Sequence, residues 1–314
     1  MFGFIMISTL LFYKIVQFFA VLILGFIVVK AKIGKSSDSM ILSKLSLYFL
    51  MPAAIINAFD IGITAEIMQG LLLAFVAAIL IHIVLMGVDL LYKKLLGAGC
   101  VERASVMYSN AANLIIPIVA YVLGDEWVIY SAGFMSVQLV FFWTHGVKVF
   151  SPDKKISIKK ILLNPTIIAI AIGLVMIAFG IRLPKGVKEV TSSLGGMIGN
   201  IGMLIAGMVA AEFDYKRVMK SKRLYLTVFL RMIVCPLIAL VLLKGILMLT
   251  GIANAEKILL ISFLAAITPT AATILQFTQI SNEDVDFAVA VNIVTTILCI
   301  ATMPVFVALY NFKI

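Results

Sequence analysis

The sequence predicts an all-α membrane protein with ten transmembrane helices, arranged as two inverted repeats of five. Hydrophobic residues make up 63% of the 314 positions and charged residues 13%, whereas an average soluble domain is about 25% charged. Apolar runs long enough to span a bilayer recur along the chain, five in each half. One run in each half carries polar residues and a proline near its middle, which is typical of paired broken helices in transporters.

The ten predicted spans are separated by charged residues or by glycine, asparagine and aspartate. They lie at residues 9–30, 39–58, 65–92, 102–123, 127–149, 163–181, 190–211, 222–249, 256–279 and 285–311. Residues 1–149 form the first predicted repeat and 163–314 the second, joined by a basic loop at 150–162. Because each repeat has an odd number of spans, the two repeats must enter the membrane from opposite sides.

Lysine and arginine are distributed unequally between the two predicted sides. The loops after spans 1, 3, 5 and 7 hold 17 of the 25 basic residues, and the other side holds seven. Basic loops of membrane proteins face the cytoplasm. We therefore expect a multi-pass protein of the cell membrane with both termini outside the cytoplasm.

Several classes of function are excluded at this stage. The net charge of +10 is explained by the basic loops, so nucleic acid is not an expected partner. Cys100, Cys235 and Cys299 have neither the spacing of a metal site nor a disulfide framework. The chain has no Walker motif, and Ser109 has no histidine or lysine at a spacing that would activate it. We expect no enzyme activity, no metal and no cofactor.

The fourth span contains two amides, Asn110 and Asn113, just before Pro117. A proline inside a helix removes one backbone hydrogen bond, and lipid offers no replacement. The ninth span has a similar interruption at Thr268-Pro269-Thr270, followed by Gln276. We expect breaks at the two prolines, crossing at mid-membrane. The alternative is that each proline only kinks its helix.

Crossed broken helices present N-terminal dipoles and free backbone groups, which favour an anionic ligand. The predicted substrate-binding residues are these polar and proline positions, together with one glutamine of the fifth span. They are Asn110, Asn113, Pro117, Gln138, Thr268, Pro269, Thr270 and Gln276.

Ionisable residues inside spans are candidates for coupling or gating. His82 and Asp89 lie in the third span, and Arg231 lies in the eighth. Asp89 and Arg231 occupy equivalent spans, so a pair between them is one expectation, and snorkelling to the interface is another. A proton relay from His82 to Asp89 is the functional interpretation of that histidine, whereas hydrogen-bonded packing is the structural one. The same alternatives apply to His145.

Several motifs follow one another along the chain: LSLYFLMPA in the second span, Asn110 and Pro117 followed by Gly124, Asn164-Pro165, the segment TPTAATILQFTQ, and Pro304. In this order and spacing they resemble the auxin efflux carrier family. The chain resembles this family over nearly its whole length. It departs from the plant members at Ile115, where they have glycine, and at Ser109, where they have proline, so an indole-sized substrate is not expected.

The resemblance implies a scaffold of spans 1, 2, 6 and 7 and a moving transport unit of spans 3–5 and 8–10. It places the family's amide on Asn110 and its prolines on Pro117 and Pro269, beside the substrate. The expected function is secondary transport of a small organic anion by alternating access. The alternatives are a sodium- or proton-coupled symporter like the bile-acid transporters, and a ligand sensor that does not transport.

The seventh span has a face of small residues at Gly195 and Gly199, which permits close helix packing. That contact is either internal or the interface of a homodimer, which the resemblance implies.

Overall fold

A computed structural model describes residues 2–62, 64–152, 159, 162–212, 215–281 and 283–311. Every named element in these ranges is helical. The principal helices are α1 Phe2–Lys30, α2 Ser36–Phe59, α3 Ala65–Leu96, α4 Cys100–Met107, α5 Ala111–Val122, α6 Asp125–Phe150, α7 Pro165–Phe179, α8 Lys185–Ala210, α9 Lys222–Leu249, α10 Ala255–Ala266, α11 Ala272–Ser281 and α12 Val285–Asn311. Most of the predicted loop at 150–162 lies outside the described residues.

Large apolar side chains cover the outside of the bundle. Leu72 is 63% exposed, Val241 73% and Phe179 77%. A water-soluble protein of this size rarely exposes so much contiguous apolar surface, whereas acyl chains solvate it well. Seven helical segments in the described part of the chain are long and apolar enough to cross a membrane, and α5 and α7 supply shorter apolar helices.

The helices α1 and α8 pack backbone to backbone. A Cβ atom on Gly207 would overlap the carbonyl oxygen of Leu22, and one on Gly25 would overlap that of Leu204. Only glycine permits this approach. Nearer the N-terminus of α8, a Cβ on Gly195 would lie 2.8 Å from the Ala54 Cα of α2. The small-residue face of the seventh span is therefore an internal contact of the chain.

Ion pairs mark the two ends of the bundle. At one end, which we call the basic end, Arg223 at the start of α9 pairs with Glu102 of α4 at 3.2 Å. At the opposite end, Asp60 after α2 pairs with Lys188 of α8 at 2.7 Å and with Arg182 at 3.3 Å. These contacts bring the ends of distant spans together.

The fourth and ninth predicted spans are each interrupted. The first break separates α4 from α5 at 108–110, and the second separates α10 from α11 at 267–271. Pro269 lies in the second break, but the prediction that Pro117 marks the first is wrong, because α5 runs through it. A membrane helix tolerates the loss of one hydrogen bond at a proline. The chain opens instead where Ser109 and Asn110 find partners on other helices.

Candidate functional site

The two breaks lie side by side and are joined through their main chains. Ser109 and Thr270 pair as an isolated antiparallel bridge. The Asn110 N–H donates to the Pro269 carbonyl at 2.7 Å, and the Ala271 N–H donates to the Tyr108 carbonyl at 3.0 Å. We call residues 108–110 and 269–271 the bridge. Backbone groups that leave one helix are thus satisfied by the other, as the absence of water in a bilayer requires.

Gln138 of α6 holds residues 108–110, the first segment of the bridge. Its Nε2 donates to the Ser109 carbonyl at 2.8 Å. Its Oε1 accepts from the Ser109 N–H at 3.3 Å and from the Ser109 hydroxyl at 2.5 Å. All three bonds are buried, so this predicted substrate-binding residue is engaged by the protein itself.

Polar side chains of α12 hold residues 269–271, the second segment of the bridge. Asn292 donates to the Thr270 carbonyl at 2.9 Å, and the Thr295 hydroxyl accepts from the Thr270 N–H at 3.2 Å. The Thr270 hydroxyl donates to the Ser105 carbonyl at 3.0 Å, and the Thr268 hydroxyl donates to the Ala265 carbonyl at 2.9 Å. The two predicted threonines therefore bond backbone carbonyls.

Arg231 of α9 lies behind the bridge and is fully buried. A π-helical turn at Leu230–Val234 holds it. Its guanidinium donates to the carbonyls of Ala266 and Thr268, both at 2.6 Å, and of Val106 at 3.3 Å. These carbonyls lie at or just beyond the C-terminal ends of α10 and α4, where a cation is favoured.

The expected pair between Asp89 and Arg231 is wrong. Asp89 is bound in bidentate fashion by Arg103 of α4, at 2.8 and 2.7 Å. Arg103 lies on the helix that follows α3 and packs against it, so it meets Asp89 near the basic end. Arg231 is directed instead towards the carbonyls of the breaks, which satisfy two of its nitrogens.

His145 of α6 completes the surroundings of Asp89. Its Nε2 lies 3.2 Å from Asp89 Oδ2, and its Nδ1 lies 2.9 Å from the Tyr108 hydroxyl. His82 is buried elsewhere: its Nδ1 lies 2.7 Å from the Ala78 carbonyl, and its ring stacks on Phe141. No hydrogen bond among the described residues joins His82 to Asp89, so the contacts of His82 fit hydrogen-bonded packing, and it is His145 that contacts Asp89.

A small cavity of about 50 Å³ lies beside the bridge, towards the basic end. The first turns of α5 and α11 line it through Asn113, Ala272 and Thr273, and Asn292 of α12 lines it as well. Asn113 Nδ2 donates to Asn110 Oδ1 at 3.0 Å, which fixes the amide at the cavity wall. Three serines of α2 line the rest of the polar surface: Ser39, Ser43 and Ser46. The side chain of Gln276 lies outside the described residues.

A second cavity, of about 450 Å³, opens at the opposite end. Pro117 and Ile116 of α5 line it, as does Asp60. Between the cavities α8 presses on α5, where a Cβ on Gly199 would lie 3.0 Å from the Pro117 ring and one on Gly202 would lie 3.2 Å from Asn113 Cβ. The same face of α5 therefore reaches both cavities.

Sequence reasoning missed four residues of this arrangement: Arg103, Tyr108, Asn292 and Thr295. Asn292 and Thr295 were detectable as polar residues within an apolar span. Arg103 and Tyr108 carry no such signal, because Arg103 stands at a span end and Tyr108 is one of nine tyrosines.

The fold and the site define the class of protein. Several helical segments long and apolar enough to cross a membrane make the chain a multi-pass membrane protein. Two interrupted helices that bond to each other in its interior are typical of secondary transporters.

The particular family follows from sequence comparison. Residues 149–307, just over half of the chain, match the family model described as membrane transport protein. The chain belongs to this family, which includes the auxin efflux carriers, and the resemblance noted in the sequence is confirmed. Comparison with curated proteins gives no match. The protein is a membrane transporter.

Proposed function

We propose that the protein is a secondary transporter of a small organic anion, which binds beside the bridge and crosses the membrane by alternating access. The observation that carries the proposal is the buried guanidinium of Arg231. Its hydrogen bonds all go to uncharged carbonyl groups, and no carboxylate among the described residues pairs with it.

The dipoles of the surrounding helices do not cancel the positive charge of Arg231. Each helix end carries about half an elementary charge, negative at the C-terminus and positive at the N-terminus. The C-terminal ends of α4 and α10 partly balance the guanidinium. The N-terminal ends of α5 and α11 oppose them with equal positive charge, so the bridge region keeps a net charge of about +1. At low dielectric this favours an anion.

The cavity beside the bridge supplies donors for a carboxylate. The Asn113 amide and the Thr273 hydroxyl stand at the first turns of α5 and α11, where the helix dipoles favour an anion. Asn110 supports Asn113 from behind. A volume of about 50 Å³ is far below the roughly 300 Å³ of a typical small ligand pocket. The substrate therefore requires a more open conformation than this one.

The two cavities give alternating access a structural basis. They reach the same face of α5 from opposite ends and are separated by its contacts with Gly199 and Gly202 of α8. Movement of the interrupted helices against α8 would open one cavity and close the other. The ten-span inverted repeat, the scaffold of spans 1, 2, 6 and 7, and the placement of the basic end in the cytoplasm belong to this proposal.

The experiment uses the purified protein in proteoliposomes. Dicarboxylates and aromatic carboxylates are first screened by thermal shift, with uncharged amides of the same acids as controls, and stabilising compounds are then tested for counterflow. We expect exchange of a carboxylate and none of its amide. Exchange of amides and acids alike would refute anion selectivity, and binding without any exchange would establish a sensor.

Variants separate the roles of the site residues. Arg231→Met should remove the preference for acids over amides, whereas Arg231→Lys should retain it because the charge remains. Asn113→Ala should weaken carboxylate binding roughly tenfold or more, since a hydrogen bond to a charged group contributes about 1.5–3 kcal/mol. The matched control is Asn200→Ala, at an exposed position of α8. Equal affinity in the two asparagine variants would remove Asn113 from the binding site.

A further inference from the structure

We propose that His145 is the proton-binding site of this transporter and that it couples a proton to the anion; the coupling rests on the proposed function, and the proton site does not. His145 lies in a π-helical turn at Phe142–Gly146 of α6. Its side chain is 18% exposed, whereas that of Asp89 is fully buried. The imidazole is therefore the more accessible member of this pair, while its carboxylate partner is shielded.

The hydrogen-bond partners of His145 fix where its protons can lie. Asp89 accepts two bonds from Arg103, at 2.8 and 2.7 Å, so its carboxylate is ionised and can only accept. His145 Nε2, at 3.2 Å from Asp89 Oδ2, must carry a hydrogen to bond to it. One imidazole nitrogen is thus protonated in every state of the network.

The Tyr108 hydroxyl decides the state of the other nitrogen. It has one hydrogen and two neighbours, the Phe141 carbonyl at 3.0 Å and His145 Nδ1 at 2.9 Å. If the hydroxyl donates to Phe141, His145 Nδ1 must donate to the hydroxyl, and the ring is an imidazolium. If Nδ1 is bare, the hydroxyl must turn to it and leave the Phe141 carbonyl. Protonation of His145 and the orientation of the Tyr108 hydroxyl are therefore linked.

Tyr108 carries this change to the bridge. It is the last residue before Ser109, and its carbonyl accepts the Ala271 N–H at 3.0 Å. Its ring packs edge-on against Phe142 in the π-helical turn, with centroids 5.0 Å apart. The proton site is thus one side chain away from the main-chain contact that joins the two interrupted helices.

The charges facing His145 set the sign of the coupling. The charges of Asp89 on α3 and Arg103 on α4 cancel each other, and Tyr108 is neutral. Lys148, one turn further along α6, donates instead to the Pro152 carbonyl at the basic end. The α11 side is closed by aromatic packing of Phe277 on Phe142. When His145 is neutral, the group formed by Asp89, Arg103 and His145 therefore has no net charge, and when His145 is an imidazolium the group has one positive charge. That charge strengthens anion binding, and by reciprocity the anion strengthens proton binding. The coupling is anion–proton symport.

The proton site is tested without any substrate. The chain has only two histidines, so His82→Gln leaves His145 as the sole imidazole for nitrogen-15 NMR of histidine-labelled protein in nanodiscs. We expect the ring-nitrogen signals to report a change of protonation when the pH is varied, and the labelled Tyr108 phenol carbon to shift together with them. Imidazole signals that do not change with pH would overturn the proposal. If His82→Gln does not fold, the signal lost in His145→Gln identifies the same ring in the wild type.

The coupling is tested with any carboxylate that exchanges in proteoliposomes. A difference of one pH unit should drive about tenfold accumulation at one proton per anion, since a factor of ten corresponds to about 1.4 kcal/mol. His145→Gln should exchange more weakly at equal pH, because the imidazolium that favours the anion is missing, and should lose accumulation, while His82→Gln accumulates normally. Tyr108→Phe should accumulate less, because the hydroxyl that bonds His145 is missing. Undiminished accumulation in His145→Gln would overturn the inference, whereas absence of exchange in the wild type would refute the proposed function and leave the NMR result to decide the proton site.

Discussion

Replacing Gln138 by methionine tests whether this side chain serves the substrate or the bridge. Methionine keeps the length of glutamine but removes all three of its bonds to Ser109. The Ser109 carbonyl and N–H would then be left in a buried, water-free position, because the residue is 2% exposed. We expect the variant to be destabilised even when no substrate is present.

The magnitude follows from the two main-chain groups left without partners. A buried polar group that loses its partner costs about 1–3 kcal/mol. Side-chain hydrogen bonds measured inside membranes average about 0.6 kcal/mol with a maximum near 1.7. For one strong bond at 2.8 Å and one long bond at 3.3 Å, we expect a loss of about 2–4 kcal/mol. This lowers the folded-to-unfolded ratio roughly 30- to 1,000-fold.

The assay is reversible unfolding in mixed micelles with increasing denaturing detergent. Gln69→Met is the matched control, because Gln69 is exposed on α3 and the same substitution there removes no buried bond. Gln138→Glu adds a second comparison, since it keeps the Ser109 N–H acceptor but loses the donor to the carbonyl. Equal stability of Gln138→Met and Gln69→Met would refute the bracing role and return Gln138 to the list of substrate ligands.

Three further predictions concern packing, pH and orientation. Gly207→Ala should destabilise the protein by about 1–3 kcal/mol, the usual cost of overpacking, because its Cβ overlaps the Leu22 carbonyl oxygen; thermal unfolding measures it. Burial alone raises the pKa of Asp60, but its Lys188 bond, the Leu183 N–H and nearby positive charges hold that pKa below its usual value. The stabilising effect of Asp60 over Asp60→Asn should therefore persist above about pH 4 and disappear as the pH falls through the lowered value. Ser37→Cys, in a cysteine-free chain, should label only from the cytoplasmic side.

Each of these has its own control. Gly245→Ala introduces a Cβ with nothing within 4 Å and should leave thermal stability unchanged; an equal loss at both glycines would contradict the packing argument. A pH-independent difference between the Asp60 proteins would show that the carboxylate contributes no charge interaction. Gly186→Cys, in the first turn of α8 at the opposite end of the bundle, should label only from outside. Labelling of both cysteines from the same side would overturn the topology.

Hydrophobic spacing was enough to predict the helices, because a bilayer leaves the backbone few alternatives. The span predicted at 65–92 is observed as α3, Ala65–Leu96, and the span at 285–311 is observed with the same bounds as α12. The sequence also located the polar positions of the two interrupted spans. These predictions depend on local composition alone.

Partner choice could not be predicted in the same way. The identity of the residue that meets Asp89 depends on how α3, α4 and α9 pack: Arg103 of α4 reaches it, whereas Arg231 of α9 bonds carbonyls at the second break. The sequence favours a break at Pro117 because a proline removes a hydrogen bond of its own helix. The break occurs instead at Ser109, which bonds to Gln138 of another helix. Hydrogen bonds between distant segments are not encoded in the spacing of either segment.

The bridge has a consequence for how such a chain tolerates substitution over time. Its two joining bonds run from the Asn110 N–H to the Pro269 carbonyl and from the Ala271 N–H to the Tyr108 carbonyl. Every amino acid except proline supplies that N–H group, and every amino acid supplies the carbonyl. These two bonds therefore set no requirement on side chains, beyond excluding proline at Asn110 and Ala271. A main-chain contact of this kind can persist while the amino acids around it change.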